Sequence, residues 1–372
     1  MLKIYQAIGG AAGCRALATL FYARVERDPV LRPLFPSTFT CAIEEFSAFL
    51  VQFLGGESDA SQRRWWLSLR ESHNRFAIGP RERTAWLRAM TATLEDESFL
   101  ADAEARSELL RFFTHSSAHV VNKVPGPAVE PIEGSLAPLW NEQLALDEVV
   151  ALVRKGKGVE LLQSPELQMR FARSPSVHAS LLALAAASKN ALLREYAVSQ
   201  IRAKPSLVHE HYKNWRTLLH DASGAGDVEL VELLLDLGSG KTHRDDEARS
   251  PLYCVGNECS APSAGEVVRI LVQRGGADVN AVHGVKRCTA LHMAARRGNV
   301  DVIGALLDAG ADIEARDSVG DTPLRRAVNC DKVSAARLLL TRGADTGSKG
   351  SKTLTPKTAA RSIKMKQLFG TA

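Results

Sequence analysis

Apolar side chains fall at helical spacing from the start of the chain. Leu17, Leu20, Phe21 and Val25 make the first clear stripe, and Asp28-Pro29 closes that helix. Leu31, Leu34 and Phe35 follow, before Pro36. Phe46, Phe49, Leu50 and Phe53 stripe a second helix from about Thr40 to Leu54, ended by Gly55-Gly56. A polar loop over 57–64 leads to Trp65-Trp66. Next comes Leu69-Arg70-Glu71-Ser72-His73-Asn74-Arg75-Phe76-Ala77-Ile78-Gly79, an apolar-faced helical run that carries a histidine. Glu82 to Thr93 and Glu104 to Val121 complete about six predicted helices, and Pro125-Gly126-Pro127 ends the segment.

The pattern then changes twice. Pro125, Pro127 and Pro131 with Gly126 and Gly134 predict a stiff linker over 126–140. From 141 to 216 the helical signals return. One helix is built on Leu144, Val149, Val150, Leu152 and Val153, and three more run over 165–172, 176–188 and 191–203, with Pro175 and Pro205 as punctuation. No repeat period is clear there, so this stretch reads as a helical connector or as degenerate leading repeats. From 217 onward the chain repeats itself. Thr217-Leu218-Leu219-His220 returns as Ser250-Pro251-Leu252-Tyr253 after 33 residues, and Thr289-Ala290-Leu291-His292 as Thr322-Pro323-Leu324-Arg325 after another 33. Gly310-Ala311-Asp312 and Gly343-Ala344-Asp345 keep the same period. The expected class is all-α throughout, with divisions at 1–125, 126–140, 141–216 and 217–372.

Composition narrows the picture. The 372 residues exceed what one core usually supports. The net charge of +5 is too mild to imply a nucleic-acid partner. The six cysteines (14, 41, 254, 259, 288, 330) form no CxxC pair and read as reduced thiols of a cytoplasmic chain. Met1-Leu2-Lys3-Ile4-Tyr5 lacks the apolar core of a signal peptide. The longest low-charge run, Ser180 to Ser188, falls far short of the ~20 residues that span a bilayer, so no membrane partner is expected.

Several motifs in order carry a family resemblance. Tyr5-Gln6-Ala7-Ile8-Gly9-Gly10, Phe21-Tyr22, Asp28-Pro29-Val30-Leu31-Arg32-Pro33-Leu34-Phe35-Pro36, Gly55-Gly56, His73-Asn74-Arg75-Phe76-Ala77-Ile78 and Glu82-Arg83-Thr84-Ala85-Trp86-Leu87 together resemble the group II truncated haemoglobins. The resemblance implies a haem b cofactor with His73 as the axial ligand of its iron, since haem iron takes a proximal imidazole. It implies Tyr22 and Trp86 as distal donors to bound dioxygen or another small gas ligand, and Phe35 packed on the macrocycle. By the same resemblance Phe76 joins the haem-binding residues, small Ala42 leaves a ligand path, and Phe46 narrows the pocket one turn later. Glu45 stands where many relatives carry a basic residue that pairs with a haem propionate, which leaves that role to Arg70 or Arg75. Trp65 and Trp66 would lie at the haem edge or simply cover the core.

The repeats follow the ankyrin pattern, Thr-Pro-Leu-His-x-Ala at a 33-residue period. Thr289 is expected to cap a short helix through Ala295, Gly298 to turn the chain, and Ile303, Leu306 and Leu307 to stripe the second helix. Ser250 and Thr289 are 39 apart, so six extra residues are expected in 254–264 or in the finger at 282–287. Arg325 in place of the usual histidine is expected to weaken local hydrogen bonding, and Ile363 to Phe369 to cap the stack. Ankyrin repeats imply a protein partner without naming it. The whole reads as a haem-binding globin coupled to an interaction module, a haem-based gas or redox sensor. The alternative is a globin enzyme for nitric oxide or peroxide detoxification, localised by its repeats.

Overall fold

The computed structural model describes residues 2–56, 67–99, 101–123, 133–240, 243–350 and 354–370. Contacts divide the chain into two compact units, Met1–Tyr196 with His211–Lys213, and Ala197–Glu210 with Asn214–Ala372. Among the described residues the regular elements are all helical, apart from one isolated bridge between His283 and Cys288. The all-α reading therefore holds.

The first unit opens with α1 (Leu2–Ala7), α2 (Gly10–Val25), α3 (Thr40–Phe53), α4 (Leu69–His73), α5 (Pro80–Leu94) and α6 (Ala103–His119). Helix α2 is the hub and packs on α1, α3 and α5. Leu17, Phe21 and Val25 of the predicted stripe are buried to 1% exposure or less. Gly13 lets α1 fold back onto α2, because a Cβ there would sit 1.5 Å from the Ile8 carbonyl oxygen. Helix α5 starts at Pro80, two residues ahead of the sequence expectation. Proline suits a first helical position, where no N–H is needed, and Glu82 accepts a bond from the Gly79 N–H at 2.7 Å. The loop at 57–64 and the pair Trp65-Trp66 lie outside the described residues.

Helices α7 (Ala137–Arg154), α8 (Pro165–Arg173) and α9 (Pro175–Ala186) continue the unit, and α10 (Ala191–Ala203) leads out of it. Of the range read as a linker, residues 133–140 are described. Leu136, Leu139 and Trp140 within it are buried in the same core as Phe112 and Phe113, with the Trp140 ring 5.6 Å from that of Phe112. The prolines upstream mask this in the sequence. A buried tryptophan, not the linker composition, sets where α7 docks.

The second unit stacks helix pairs: α11 (Leu218–Ala225) with α12 (Val228–Asp236), α13 (Pro251–Glu258) with α14 (Ala264–Gln273), α15 (Ala290–Arg297) with α16 (Val300–Asp308), and α17 (Pro323–Asn329) with α18 (Val333–Thr341). A last pair, α19 (Pro356–Ala359) and α20 (Ile363–Leu368), closes it with Met365 buried. The predicted caps are present. Thr289 Oγ1 accepts from the His292 N–H, and Gly298 adopts the left-handed conformation at φ 84°. The extra residues are shared between the two expected places. Helices α13 and α14 start 13 residues apart where neighbouring pairs start 10 apart, and α14 to α15 takes 26 where neighbours take 23.

One expectation holds only in part. His220 and His292 donate from Nε2 to the Arg249 and Asp321 carbonyls of the following repeat, at 3.1 and 3.0 Å, and accept the Thr217 and Thr289 N–H groups on Nδ1. Arg325 has no acceptor for the Thr322 N–H, so the local cap is weaker as expected, but it keeps the link to the following repeat. Its Nη1 donates to the Thr355 carbonyl at 3.0 Å, because the longer guanidinium reaches the same backbone position.

Candidate functional site

A cleft of about 1240 Å³, counting its open mouth, lies among α2, α3, α4, α5 and α6. Its walls are aromatic because α2, α3, α5 and α6 each turn aromatic residues inward. Tyr22 follows core residue Phe21 on α2, and Phe46 projects from α3. Trp86 comes from α5 and Phe113 from α6. The rings interlock edge to face or tilted. Tyr22 meets Phe35 at 5.4 Å and Phe46 at 6.4 Å, while Trp86 sits between Phe21 at 5.1 Å and Phe113 at 5.5 Å. Phe35 then meets Phe76 at 5.3 Å, and Phe76 meets the His73 imidazole at 6.3 Å.

His73 ends α4. Its Nδ1–H donates to the Leu69 carbonyl one turn earlier, at 2.8 Å. The Ser72 hydroxyl donates to the same carbonyl at 2.7 Å and leaves its oxygen 2.9 Å from Nδ1. Nδ1 is thereby committed as a donor, and Nε2 makes no hydrogen bond among the described residues. Burial holds the imidazole below its ordinary pKa, with the Arg75 charge adding to the effect, so the ring is neutral near pH 7. A neutral imidazole with one nitrogen anchored and the other open is what a metal ligand requires.

The Tyr22 hydroxyl and the Trp86 indole N–H, also in the cleft, lack partners among the described residues too. Burial, and then the Glu45 charge, push the Tyr22 phenol well above its ordinary pKa, so it stays a protonated donor. Ala42 contributes its small side chain to the lining. At the rim Arg75 pairs with Glu45 at 2.9 Å and lies over the Phe76 ring at 4.9 Å. The structure thus gathers His73, Tyr22, Phe35, Ala42, Phe46, Arg75, Phe76 and Trp86 on one cleft. Arg70 is exposed and not part of the lining, and only its backbone N–H is engaged nearby.

Sequence reading missed the residues behind α4. Asp147 of α7 accepts from the Leu69 and Arg70 N–H groups at 2.9 and 3.0 Å, and His119 Nε2 and Gln143 Nε2 also donate to it, at 2.7 and 2.8 Å. The only sequence sign was the acidic pair Asp147-Glu148 among the apolar positions Leu146, Val149 and Val150.

Comparison with known proteins finds matches for both parts of the chain. Residues 3–122 match the family model of bacterial-like globins. Residues 257–349 match three copies of the ankyrin repeat, and residues 214–246 match a single copy. The chain is 31% identical to a group 2 truncated hemoglobin of Bacillus subtilis (strain 168) over 119 residues, which is 32% of this chain and 88% of that protein. It is 34% identical over 149 residues to ankyrin repeat and SOCS box protein 16 of Homo sapiens, covering 38% of this chain and 32% of that protein. It is 41% identical over 103 residues to regulatory protein NPR6 of Arabidopsis thaliana, covering 28% and 20%. The chain therefore spans a third or less of the length of these repeat relatives. No described helix is long and apolar enough to cross a membrane.

Proposed function

The chain belongs to the bacterial-like globin family, and on that premise we propose that its first unit holds haem b through His73 and takes up dioxygen or another diatomic gas. Globin membership implies haem-based ligand binding, and ankyrin repeats imply protein interaction. The observation that carries the finer reading is that His73 Nε2, the Tyr22 hydroxyl and the Trp86 indole N–H face one cleft of aromatic walls with no hydrogen-bond partner among the described residues.

Haem, when bound, would supply an iron that takes up a small diatomic gas. The chain's own residues do the rest. His73 is neutral and turned by its Leu69 bond so that Nε2 is the ligating nitrogen. Tyr22 and Trp86 offer hydrogen bonds to a ligand that carries partial negative charge, and such bonds are stronger when water is excluded. Phe35, Phe76, Leu31 and Leu34 supply that exclusion. Arg75, at the rim, offers a guanidinium to a propionate. A gas-binding unit joined to a repeat unit in one chain supports a haem-based gas or redox sensor, in which ligand state alters affinity for a protein held by the repeats. That requires unequal partner affinity between the two states.

The test is the absorption spectrum of the purified protein, ferrous with and without dioxygen, for wild type and His73→Ala. Stoichiometric haem with a Soret band that shifts with dioxygen, and is lost or displaced in the variant, is expected. Failure of the wild type to take up added haem sinks the reading.

A further inference from the structure

Helix α4 has five residues, too few to be stable alone, since isolated helices shorter than about 12 residues are marginal in water. The N–H groups of its first turn have no carbonyl partners within so short a helix. Those of Leu69, Arg70 and Glu71 are nonetheless satisfied. Leu69 and Arg70 donate to Asp147 at 2.9 and 3.0 Å and Glu71 donates to Ser68 Oγ at 3.1 Å, before Ser72 makes the first helical bond, to the Ser68 carbonyl at 3.2 Å. Two of these three cap bonds thus reach a residue 78 and 77 positions away in sequence.

Asp147 is built for that task. It is 5% exposed, and both carboxylate oxygens are doubly engaged. Oδ1 takes the Leu69 N–H and the Gln143 amide, while Oδ2 takes the Arg70 N–H and His119 Nε2. Gln143 also donates to the Leu67 carbonyl at 3.1 Å, so the entry to α4 is clamped as well as its first turn. His119 is held in turn against Trp140, edge to face at 5.6 Å. Farther along α7, Arg154 pairs with Glu71. A buried carboxylate at the positive end of a helix is favourable in both charge and hydrogen bonding.

We propose that Asp147 is the positioning residue of His73. Leu69 is the link. Its N–H is fixed by Asp147 and its carbonyl fixes His73 Nδ1, so one residue carries the constraint from α7 to the ligand ring. The placement of the iron ligand is therefore keyed to α7, which lies outside the 3–122 span that matches the globin family. A helix that precedes the repeats in sequence thus holds the proximal ring and is the element that a change in iron–imidazole geometry would load first. This inference deepens the haem reading and rests on it, while its hydrogen-bond basis can be tested apart from haem.

The experiment uses the full chain as wild type, Asp147→Asn and Asp147→Glu. Amide hydrogen exchange over 67–76 is followed without haem, and the iron–imidazole stretching band of the ferrous, ligand-free protein is followed with haem. Asp147→Asn is nearly isosteric but replaces one acceptor by a donor. It is expected to speed exchange of the Leu69 and Arg70 amides at least about tenfold, as the loss of one charge-assisted bond implies. It is also expected to move or broaden the iron–imidazole band while helical content is retained. Asp147→Glu is expected to recover part of both effects. Wild-type exchange and an unmoved band in Asp147→Asn overturn the proposal. So do Leu69 and Arg70 amides that exchange freely in the wild type, a result independent of whether any variant folds. A wild type that takes up no haem but shows slow exchange at those two amides sinks the haem reading and leaves the cap standing.

Discussion

Arg75 donates to Glu45 at 2.9 Å across the rim of the aromatic cleft. The pair is half open to solvent, with 56% of the arginine side chain and 26% of the glutamate exposed. Such pairs are worth at most about 1 kcal/mol. Glu45 therefore competes for the guanidinium that a propionate would need, without adding much stability. Glu45→Gln should free Arg75 and slow haem transfer to a haem-free acceptor protein by about two- to fivefold, the range set by a pair of that strength. A faster transfer in the variant would show that the carboxylate holds Arg75 where the haem needs it.

The two distal donors make separable predictions. Tyr22→Phe keeps the ring packing against Phe35 and Phe46 and removes only the hydroxyl. If that hydroxyl bonds the ligand, dioxygen dissociation should speed by about ten- to a hundredfold, while carbon monoxide, a weaker acceptor, should change less. Trp86→Phe removes the indole N–H and leaves an aromatic ring between Phe21 and Phe113. Stopped-flow dissociation rates on both variants assign the donor. A Tyr22→Phe rate equal to wild type, with a large change in Trp86→Phe, would transfer the role to the indole.

How much of this was legible in the sequence depends on the distance over which each feature is encoded. Leu17, Phe21 and Val25 announce their helix because periodicity is local, and Thr289 with Gly298 announces a repeat for the same reason. The gathering of Tyr22, His73 and Trp86 on one cleft rests on order along the chain and on family resemblance, since nothing local to any of them points to the others. Arg70 and Arg75 were equal candidates on paper. The structure separates them because Arg70 lies in the first turn of α4, whereas Arg75 follows that helix and faces Phe76. Asp147 was hardly legible. Two of its four partners are the backbone N–H groups of Leu69 and Arg70, which leave no trace in sequence, and His119 lies 28 residues away. Arg325 was half legible: the lost imidazole acceptor shows in the residue type, whereas the reach of the guanidinium to the Thr355 carbonyl, as the imidazoles of His220 and His292 reach theirs, does not.

The repeat unit should lose stability as pH falls below neutral, and its histidines set the window. His220 is fully buried, accepts the Thr217 N–H on Nδ1 at 3.2 Å and donates from Nε2 to Arg249. Protonating Nδ1 destroys the acceptor and charges a buried ring beside Arg216. Burial first, and then that arginine, bring its pKa down to about 4. His283 is likewise brought down to about 4 by burial, with Arg244 adding to the effect. Both folded values lie below the ~6.5 of an unfolded histidine, so between the two the unfolded chain binds more protons and acid favours it. The contribution is complete above about pH 6.5 and falls towards pH 4, at up to about 1.4 kcal/mol per pH unit for each histidine. Urea midpoints followed by hydrogen exchange of peptides from 217–345 should drop between about pH 7.5 and about pH 5, and His220→Gln should flatten part of that slope. A midpoint that does not move over this range would mean that these rings accept protons in the folded repeats as readily as in the unfolded chain.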